Sequence, residues 1–191
     1  MLQNVKDNNE YDILLHACCG VCAGYPIKKL KSEGLNPLLL FSNDNIDSLE
    51  EYNKRAEAFM QVCNYFNVDY IVDDYSPETY LNCVQGLEFE PERGNRCSEC
   101  FRLRLRKSAD FAIKIGIDKF TSTLAISPHK NYNKITLIGQ EVATELGLEY
   151  VGIDFKKGDG FLKTNQISKE LNLYRQNYCG CKFAKSHLKE G

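Results

Sequence analysis

The chain has 191 residues, with 24 Lys plus Arg against 26 Asp plus Glu, a formal net charge of −2, and 43% hydrophobic residues. This composition fits one globular domain and excludes a chain that is disordered throughout. The longest apolar runs, such as residues 38–41, are far shorter than the roughly 20 residues of a membrane-spanning helix, and residues 1–10 lack the apolar core of a secretory signal. We therefore expect a cytoplasmic protein with a flexible N-terminal segment. The net charge neither indicates nor excludes a nucleic-acid partner.

The first half of the chain alternates between strand and helix patterns. Tyr11–Ala17 predicts a buried strand, followed by a cysteine-containing turn and a short helix that has Pro26 in its first turn and ends near Gly34. The next predicted elements are a strand, a helix with an apolar stripe, a strand and a short helix, at Asn36–Ser42, Ile46–Asn67, Val68–Val72 and about Glu78–Val84. Residues 85–96 contain two glycines and a proline and predict a loop.

The second half of the chain continues this alternation. Its predicted elements are, in order, a helix at Ser98–Ile115 with Ser98 as its N-cap, a strand at Phe120–Ala125, a break at Ser127–Asn131, a helix at Tyr132–Leu146 closed by Gly147, and a strand at Glu149–Ile153. The remaining residues are predicted to be mostly helical, apart from an interruption at Asn177–Cys181. Strands that alternate with helices predict a single α/β domain with a parallel sheet flanked by helices, in which sites lie at the carboxyl ends of strands.

Nine cysteines are the most unusual feature of the composition. A disulfide framework is disfavoured, because the count is odd and a domain of this size can bury an adequate core without covalent links. Seven of the nine occur in three groups, which are Cys18, Cys19 and Cys22, then Cys97 and Cys100, then Cys179 and Cys181. Three groups that lie far apart in sequence, each in a predicted loop or at a helix start, favour a metal or redox centre. Cys63 and Cys83 lie inside predicted helices, where we expect them to pack as small apolar side chains.

Cysteine spacing alone does not identify the metal, because four thiolates suit structural zinc as well as an iron–sulfur cluster. Seven thiolates exceed one tetrahedral site, which favours either a cubane cluster beside a second metal or a four-cysteine centre beside a reactive dithiol. A non-catalytic, zinc-stabilised RNA-binding module is the alternative of a different class. An ATP-dependent tRNA sulfur-transfer enzyme is disfavoured, because residues 18–22 replace the Ser-Gly-Gly loop that would bind pyrophosphate.

Four sequence blocks resemble the QueH-type epoxyqueuosine reductases. They are Leu15–Cys19 (LHACC), Gly94–Leu103 (GNRCSECFRL), Ser122–Asn131 (STLAISPHKN) and Leu173–Cys181 (LYRQNYCGC), and they follow the family order from about residue 11 to the end. The resemblance implies a HUP or PP-loop-like (Rossmann-like) domain with a helical C-terminal part, without implying the use of ATP. It also implies an enzyme of queuosine biosynthesis that removes the epoxide oxygen from epoxyqueuosine at the wobble position of tRNA.

The resemblance implies two metal groups, a 4Fe–4S cluster and an adjacent mononuclear iron. By this resemblance the cluster ligands are Cys18, Cys19, Cys97 and Cys100, and the iron ligands include Cys179 and Cys181. Similar proteins commonly have an aspartate at the position of Cys22, so that a thiolate here replaces a carboxylate. We expect Cys22 to be a ligand of the iron site, where a third sulfur would shift the metal preference; alternatively, it replaces Cys18 or Cys19 at the cluster.

The implied reaction converts an epoxide to an alkene and consumes two electrons and two protons. A 4Fe–4S cluster passes one electron at a time, so we expect two deliveries from a ferredoxin or flavodoxin, with the second metal available to bind the epoxide oxygen. Candidate proton donors in the matching blocks are Tyr178, His16 and His129. His16 ends a predicted buried strand, where hydrogen bonds to the loop backbone are the simpler role.

Basic residues beside the cysteine groups are candidate tRNA contacts. Arg102 and Arg106 share a helix face that follows Cys100, and we expect them to bind the phosphate backbone through salt-sensitive contacts, although a solvated face is the simpler interpretation. The remaining candidates are Arg96, Lys130 and Arg175. His187 lies in a Lys-rich tail and is expected to be solvated.

Overall fold

A parallel five-stranded sheet forms the centre of the protein, which is described here by a computed structural model covering residues 10–184. The strands are β1 (Ile13–His16), β2 (Pro37–Phe41), β3 (Tyr70–Val72), β4 (Lys119–Ser122) and β5 (Glu149–Tyr150). Their order across the sheet is β3-β2-β1-β4-β5. The order therefore reverses between β1 and β4, which is the position where open parallel sheets bind ligands. The expected α/β fold with a parallel sheet is confirmed.

Six α-helices flank the sheet. They are α1 (Gly20–Ser32), α2 (Leu49–Phe66), α3 (Pro77–Cys83), α4 (Asn95–Ile115), α5 (Tyr132–Leu146) and α6 (Gly160–Glu170). Helix α1 packs against α2 and α6, whereas α4 packs against α5. All residues of β1 and β2 are buried, as expected for parallel strands covered on both faces. The predicted helical character of the C-terminal part is confirmed by α6, and residues 171–184 form turns and irregular backbone.

The start of α1 differs from the prediction. The helix begins at Gly20, so Pro26 lies in its second turn and not in the first. A proline inside a helix cannot donate a hydrogen bond to the carbonyl four residues earlier, which here belongs to Cys22. The predicted first-turn position was wrong, because the helix includes the last residues of the cysteine segment.

The start of α4 also lies earlier than predicted. Its N-cap is Gly94, and the carboxylate of Glu90 accepts a hydrogen bond from the N–H of Asn95 at 3.0 Å. The hydroxyl of Ser98 instead donates to the carbonyl of Gly94 at 3.2 Å, so Ser98 is not the cap. A carboxylate from the preceding loop thus satisfies the first turn of the helix.

The chain turns sharply after β4. The predicted strand Phe120–Ala125 ends at Ser122, and Thr123–Ile126 forms a 3₁₀ turn in which the N–H of Leu124 donates to the Ser122 hydroxyl. Strand β5 is shorter than the predicted Glu149–Ile153. These short strands leave room for loops at the carboxyl edge of the sheet.

Two expectations about the ends of the chain fall mainly on residues outside the described range. Most of the N-terminal segment expected to be flexible, residues 1–9, lies outside the described residues, as does His187. Among the helices within residues 10–184, none combines the length and apolar character required to cross a bilayer.

Gly20 provides a test of how the first cysteine loop is positioned. A Cβ atom at Gly20 would lie 2.3 Å from the carbonyl oxygen of Ala58 in α2, which is backbone and cannot move aside. We expect Gly20→Ala to lower the free energy of unfolding by about 1–3 kcal/mol through overpacking. Lys28→Ala, at an exposed position of the same helix, is the control. Denaturant unfolding of both variants measures this, and equal stabilities would show that the close approach is not required.

Candidate metal centre

The first cysteine group lies at the carboxyl end of the central strand. Cys18 and Cys19 follow β1, and Cys22 lies in the first turn of α1. The three sulfur atoms all lie within 4.8 Å of one another, with 4.0 Å between those of Cys18 and Cys19. Metal–sulfur bonds of about 2.3 Å in a tetrahedral site place ligand sulfurs at a comparable separation. These thiols can therefore bind one metal ion together.

Hydrogen bonds and charge favour a thiolate in this group. Hydrogen bonds from the Cys19 and Cys22 thiols hold the pKa of Cys18 well below its usual value, although burial opposes the shift. The shared proton in turn raises the pKa of Cys19 to about 12. The hydroxyl of Thr123 donates to the Cys18 sulfur at 3.5 Å, and the side-chain amide of Gln176 donates to the Cys19 sulfur at 2.9 Å. A bound cation would displace the remaining protons.

The second cysteine group combines the start of α4 with the C-terminal segment. Burial and the sulfur of Cys179 raise the pKa of Cys97, and the same influences raise the pKa of Cys100 to about 12. Cys181 also acts on both thiols and packs with Cys100 in a small apolar cluster beside Tyr80. Residues separated by about 80 positions in sequence thus form one group of four cysteines.

A buried ion pair in α2 fixes the loop that carries Cys179. Arg55 and Glu51 are paired at 2.6 Å, with side chains that are only 3% and 9% exposed. The guanidinium of Arg55 donates to the carbonyls of Tyr178 and Cys179 at 3.3 and 3.2 Å. Gly180 has a φ of +109°, and a Cβ atom there would lie 2.8 Å from the guanidinium. The loop therefore requires both the arginine and the glycine.

A single cavity of about 1320 Å³ joins the two cysteine groups. Six of the seven grouped cysteines line it, which are Cys18, Cys22, Cys97, Cys100, Cys179 and Cys181. Cavities that bind small molecules commonly measure about 300–1,000 Å³, so this one is large enough for a nucleoside together with metal groups. Its position between the ends of β1 and β4 agrees with the sheet topology.

The cavity is basic, in contrast to the net negative charge of the chain. Besides Arg55, its basic lining residues are Arg93, Arg104, Lys130, Lys134, Lys156 and Arg175, and its carboxylates are Glu92 and Asp154. Burial opposes a positive charge on Lys130, but the nearby Cys18 and Cys179 sulfurs raise its pKa. Sequence reasoning missed Arg93, Arg104, Lys134 and Lys156, because isolated basic residues in different elements give no local pattern.

A family model for the epoxyqueuosine reductase QueH matches residues 13–187 of this chain. The chain belongs to the QueH family. It is 38% identical to the epoxyqueuosine reductase QueH of Streptococcus pyogenes serotype M1 over 185 residues, which cover 94% of this chain and 72% of that protein. It is 36% identical to the QueH of Staphylococcus epidermidis over 187 residues, which cover 94% of this chain and 78% of that protein.

Solved structures of other proteins share the fold. The U34-tRNA thiolase NcsA from Methanococcus maripaludis, solved with its [4Fe-4S] cluster, is similar with a TM-score of 0.58 and 15% identity over 97% of this chain and 65% of that chain. The NMN synthetase from Francisella tularensis is similar with a TM-score of 0.52 and 11% identity over 91% of this chain and 69% of that chain. At these identities the likeness shows the fold alone.

The three predicted proton donors of this QueH protein have different surroundings. His16 is fully buried, and its ring nitrogens lie 2.9 Å from the Ser122 hydroxyl and 3.2 Å from the Ser42 carbonyl. Burial and the charge of Arg104 lower the pKa of His16 to about 3, so the ring is neutral and joins three strand ends. It does not line the cavity. These contacts favour the simpler role expected for His16, which is to hydrogen-bond the backbone at the strand ends.

Tyr178 and His129 both line the cavity. The hydroxyl of Tyr178 donates to a carboxylate oxygen of Asp47 at 2.7 Å, and the guanidinium of Arg55 lies 5.2 Å from the ring centre. His129 is exposed, and its Nδ1 lies 3.4 Å from a guanidinium nitrogen of Arg93. Tyr178 is thus half-buried and held by Asp47 and Arg55, whereas His129 is exposed.

Three of the predicted tRNA-binding arginines have partners within the protein. Arg96 is 2% exposed, and its guanidinium donates to the carbonyls of Leu87, Glu88 and Glu90. It holds the loop before α4. Arg102 and Arg106 pair with Glu141 and Glu145 of α5, each at 2.6 Å, and do not line the cavity. These pairings favour the simpler interpretation of a solvated helix face, and binding of tRNA by the three arginines stays a prediction.

The structure also places the four remaining residues named from the sequence, and the tRNA role of Lys130 and Arg175 stays a prediction. Lys130 and Arg175 both line it, and Arg175 donates to the amide oxygen of Asn165 at 2.7 Å. Cys63 is fully buried in the core, as expected. Cys83 is half-buried, and its thiol donates to the Glu99 carbonyl at 3.7 Å.

The ion pair of Arg55 provides a quantitative test. Arg55→Leu would leave Glu51 buried without its charge partner, and we expect the free energy of unfolding to fall by about 3–5 kcal/mol. Lys54→Leu is the matched control, because Lys54 pairs with Glu50 on the exposed side of the same helix, where an ion pair contributes little to stability. Denaturant unfolding measures both. If Arg55→Leu loses no more free energy of unfolding than the control, the buried ion pair is not required for stability.

Proposed function

We propose that this protein is a cytoplasmic epoxyqueuosine reductase that acts on tRNA carrying epoxyqueuosine in its anticodon loop and gives queuosine. The proposal rests on one observation above all. Six cysteines and several basic side chains line one cavity at the switch point of the sheet, in a chain that matches the QueH family over residues 13–187. Thiolates suit iron, and basic groups suit a nucleic acid.

The residues of the cavity fit an anionic metal–thiolate group. Only 3% of the surface of Arg104 is exposed. Among the described residues, its Nε atom has no hydrogen-bond partner. Within residues 10–184 its guanidinium bonds to the neutral amide of Asn43 and to no carboxylate. A buried cation without a counter-charge is costly. The cavity therefore favours a group that carries negative charge, as iron bound by several thiolates does.

The spacing of the sulfur atoms suggests how the ligands divide. Cys18, Cys19 and Cys22 are close enough to share one metal ion, whereas no three sulfurs of the other group lie within 4.8 Å of one another. The four cysteines of a 4Fe–4S cluster each bind a different iron and so lie farther apart. We infer that Cys97, Cys100, Cys179 and Cys181 hold the cluster and that the first group holds the mononuclear iron. The family-based assignment, which joined Cys18 and Cys19 to the cluster, is the alternative.

Removal of one thiol separates these two assignments. In Cys18→Ser we expect the 4Fe–4S signal to remain, with acid-labile sulfide at about four per chain and iron lower by about one. Cys83→Ser, outside both groups, should match the wild type. Mössbauer spectroscopy and iron and sulfide analysis of anaerobically reconstituted protein measure this. Loss of the cubane signal in Cys18→Ser would support the family-based assignment instead.

The reaction takes two electrons and two protons, breaks both C–O bonds of the epoxide, forms the C=C bond and releases water. When bound, the metal groups supply single electrons from a ferredoxin or flavodoxin and a Lewis-acid position for the epoxide oxygen. The chain supplies binding and protons. Tyr178, whose hydroxyl proton is donated to Asp47, and His129, which is exposed, both line the cavity and stay candidate donors.

The decisive assay is chemical. Anaerobically reconstituted protein is incubated with epoxyqueuosine-containing tRNA and a low-potential reductant, and the nucleosides are then analysed by mass spectrometry. We expect conversion of epoxyqueuosine to queuosine by loss of one oxygen, with no conversion when the reductant is left out. Colourless protein that contains only zinc and leaves the nucleoside unchanged would instead indicate a metal-stabilised RNA-binding module.

Binding of tRNA tests the basic lining of the cavity. Lys134 and Arg175 lie on different elements of the lining, and we expect the double change to Gln to weaken tRNA binding and to lower the slope of log K against log[salt] by about one per residue. The matched control removes the same charge from Arg102 and Arg106, which pair with α5. Fluorescence anisotropy across a salt series measures both. A larger effect in the control would restore the helix face as the tRNA contact.

A further inference from the structure

One buried arginine connects the two cysteine groups. Arg104 lies four residues after Cys100 in α4, which places both side chains on one face of the helix. Its guanidinium donates to the amide oxygen of Asn43, and the amide nitrogen of Asn43 donates to the Ala17 carbonyl at 3.1 Å. Ala17 directly precedes Cys18. A short chain of contacts thus runs from one thiol group to the other.

Arg104 differs from its basic neighbours in having no carboxylate partner among residues 10–184. Two basic residues follow it in α4. Arg106 pairs with Glu145 at 2.6 Å. Lys107 pairs with Asp44 at 2.9 Å and with Asp73 at 2.7 Å. Within the described part of the chain, Arg104 has only its bond to Asn43, and its Nε atom is unpaired. A charge this well buried is strongly destabilising unless negative charge lies near it.

The thiol groups are the source of that negative charge. Arg104 lines the same cavity as Cys18 of the first group and Cys100 of the second. It lies one helical turn from Cys100 and is linked through Asn43 to the residue before Cys18, so its charge is close to both groups. The guanidinium therefore acts electrostatically on both cysteine groups at once.

We propose that Arg104 is a positioning residue whose guanidinium is the shared counter-charge of the two thiolate groups. It raises the reduction potential of the cluster that the second group holds. The reason is electrostatic, because reduction adds one negative charge and a fixed buried cation stabilises the reduced form more than the oxidised form. This inference rests on the proposed function, since it requires an iron–sulfur cluster in the cavity. It assigns Arg104 a role distinct from binding tRNA.

The test is the midpoint potential of the cluster in the reconstituted full chain, measured by a redox titration followed by electron paramagnetic resonance. For Arg104→Gln we expect at least a tenfold shift of the one-electron equilibrium towards the oxidised form, which is about 59 mV lower in potential. Arg104→Lys keeps the charge and should retain most of the wild-type potential. Arg106→Gln, two residues later and paired on the surface, is the matched control and should leave it unchanged.

A second variant tests the idea without removing the arginine. Asn43→Asp has nearly the same shape and places a carboxylate against the guanidinium, so it should lower the potential in the same direction even if Arg104→Gln fails to fold. The titration reports only protein that carries the cluster, so partial loading does not obscure the result. Unchanged potentials in the loaded variants overturn this inference alone. A wild-type chain that binds no cluster overturns both this inference and the iron–sulfur part of the proposed function.

Discussion

The cavity exists because the central strands end side by side and point in the same direction. His16 of β1 is in register with Ser122 of β4, and the two side chains are joined by a 2.9 Å hydrogen bond. The other ring nitrogen of His16 reaches the carbonyl of Ser42, directly after β2. One neutral, fully buried imidazole thus ties together three strand ends, and the loops that leave those ends form the cavity. The cysteine loop, the polar segment after β2 and the turn after β4 all depend on this alignment.

The basic side chains that line this cavity contrast with the net negative charge of the chain. The chain is slightly acidic as a whole, yet the cavity is lined by basic side chains that come from five separate parts of the sequence. The deepest of them are compensated in different ways: Arg55 has a carboxylate partner, and Arg104 has an amide and the nearby thiols. Surface arginines of α4 are neutralised by α5. Free positive charge is therefore concentrated where iron-bound thiolates and a phosphate backbone would need it.

The apolar periodicity of the sequence predicted the order of strands and helices, because parallel strands are buried on both faces and the helices carry clear stripes. Cysteine spacing predicted a metal centre, because paired thiols can be recognised from a separation of only a few residues in sequence. What the sequence did not reveal is which partner each arginine meets in the folded protein. No local pattern shows that Arg96 faces backbone carbonyls or that Arg102 faces Glu141, and none shows that Arg55 is buried on Glu51 beside the Cys179 loop. Burial of a charged residue is decided by tertiary packing.

The origin of the two cysteine groups explains their different geometries. Cys18, Cys19 and Cys22 come from one loop and one helical turn, so their sulfurs crowd together within 4.8 Å. The other four come from two segments that meet only in the folded protein, and each segment is fixed separately, one by the capped start of α4 and one by Arg55. Such an arrangement can surround a larger group. Cys18 and Cys22 line the cavity whereas Cys19 does not, so this group meets the cavity on one side only. Under the proposed function, that side is the one that a substrate could reach.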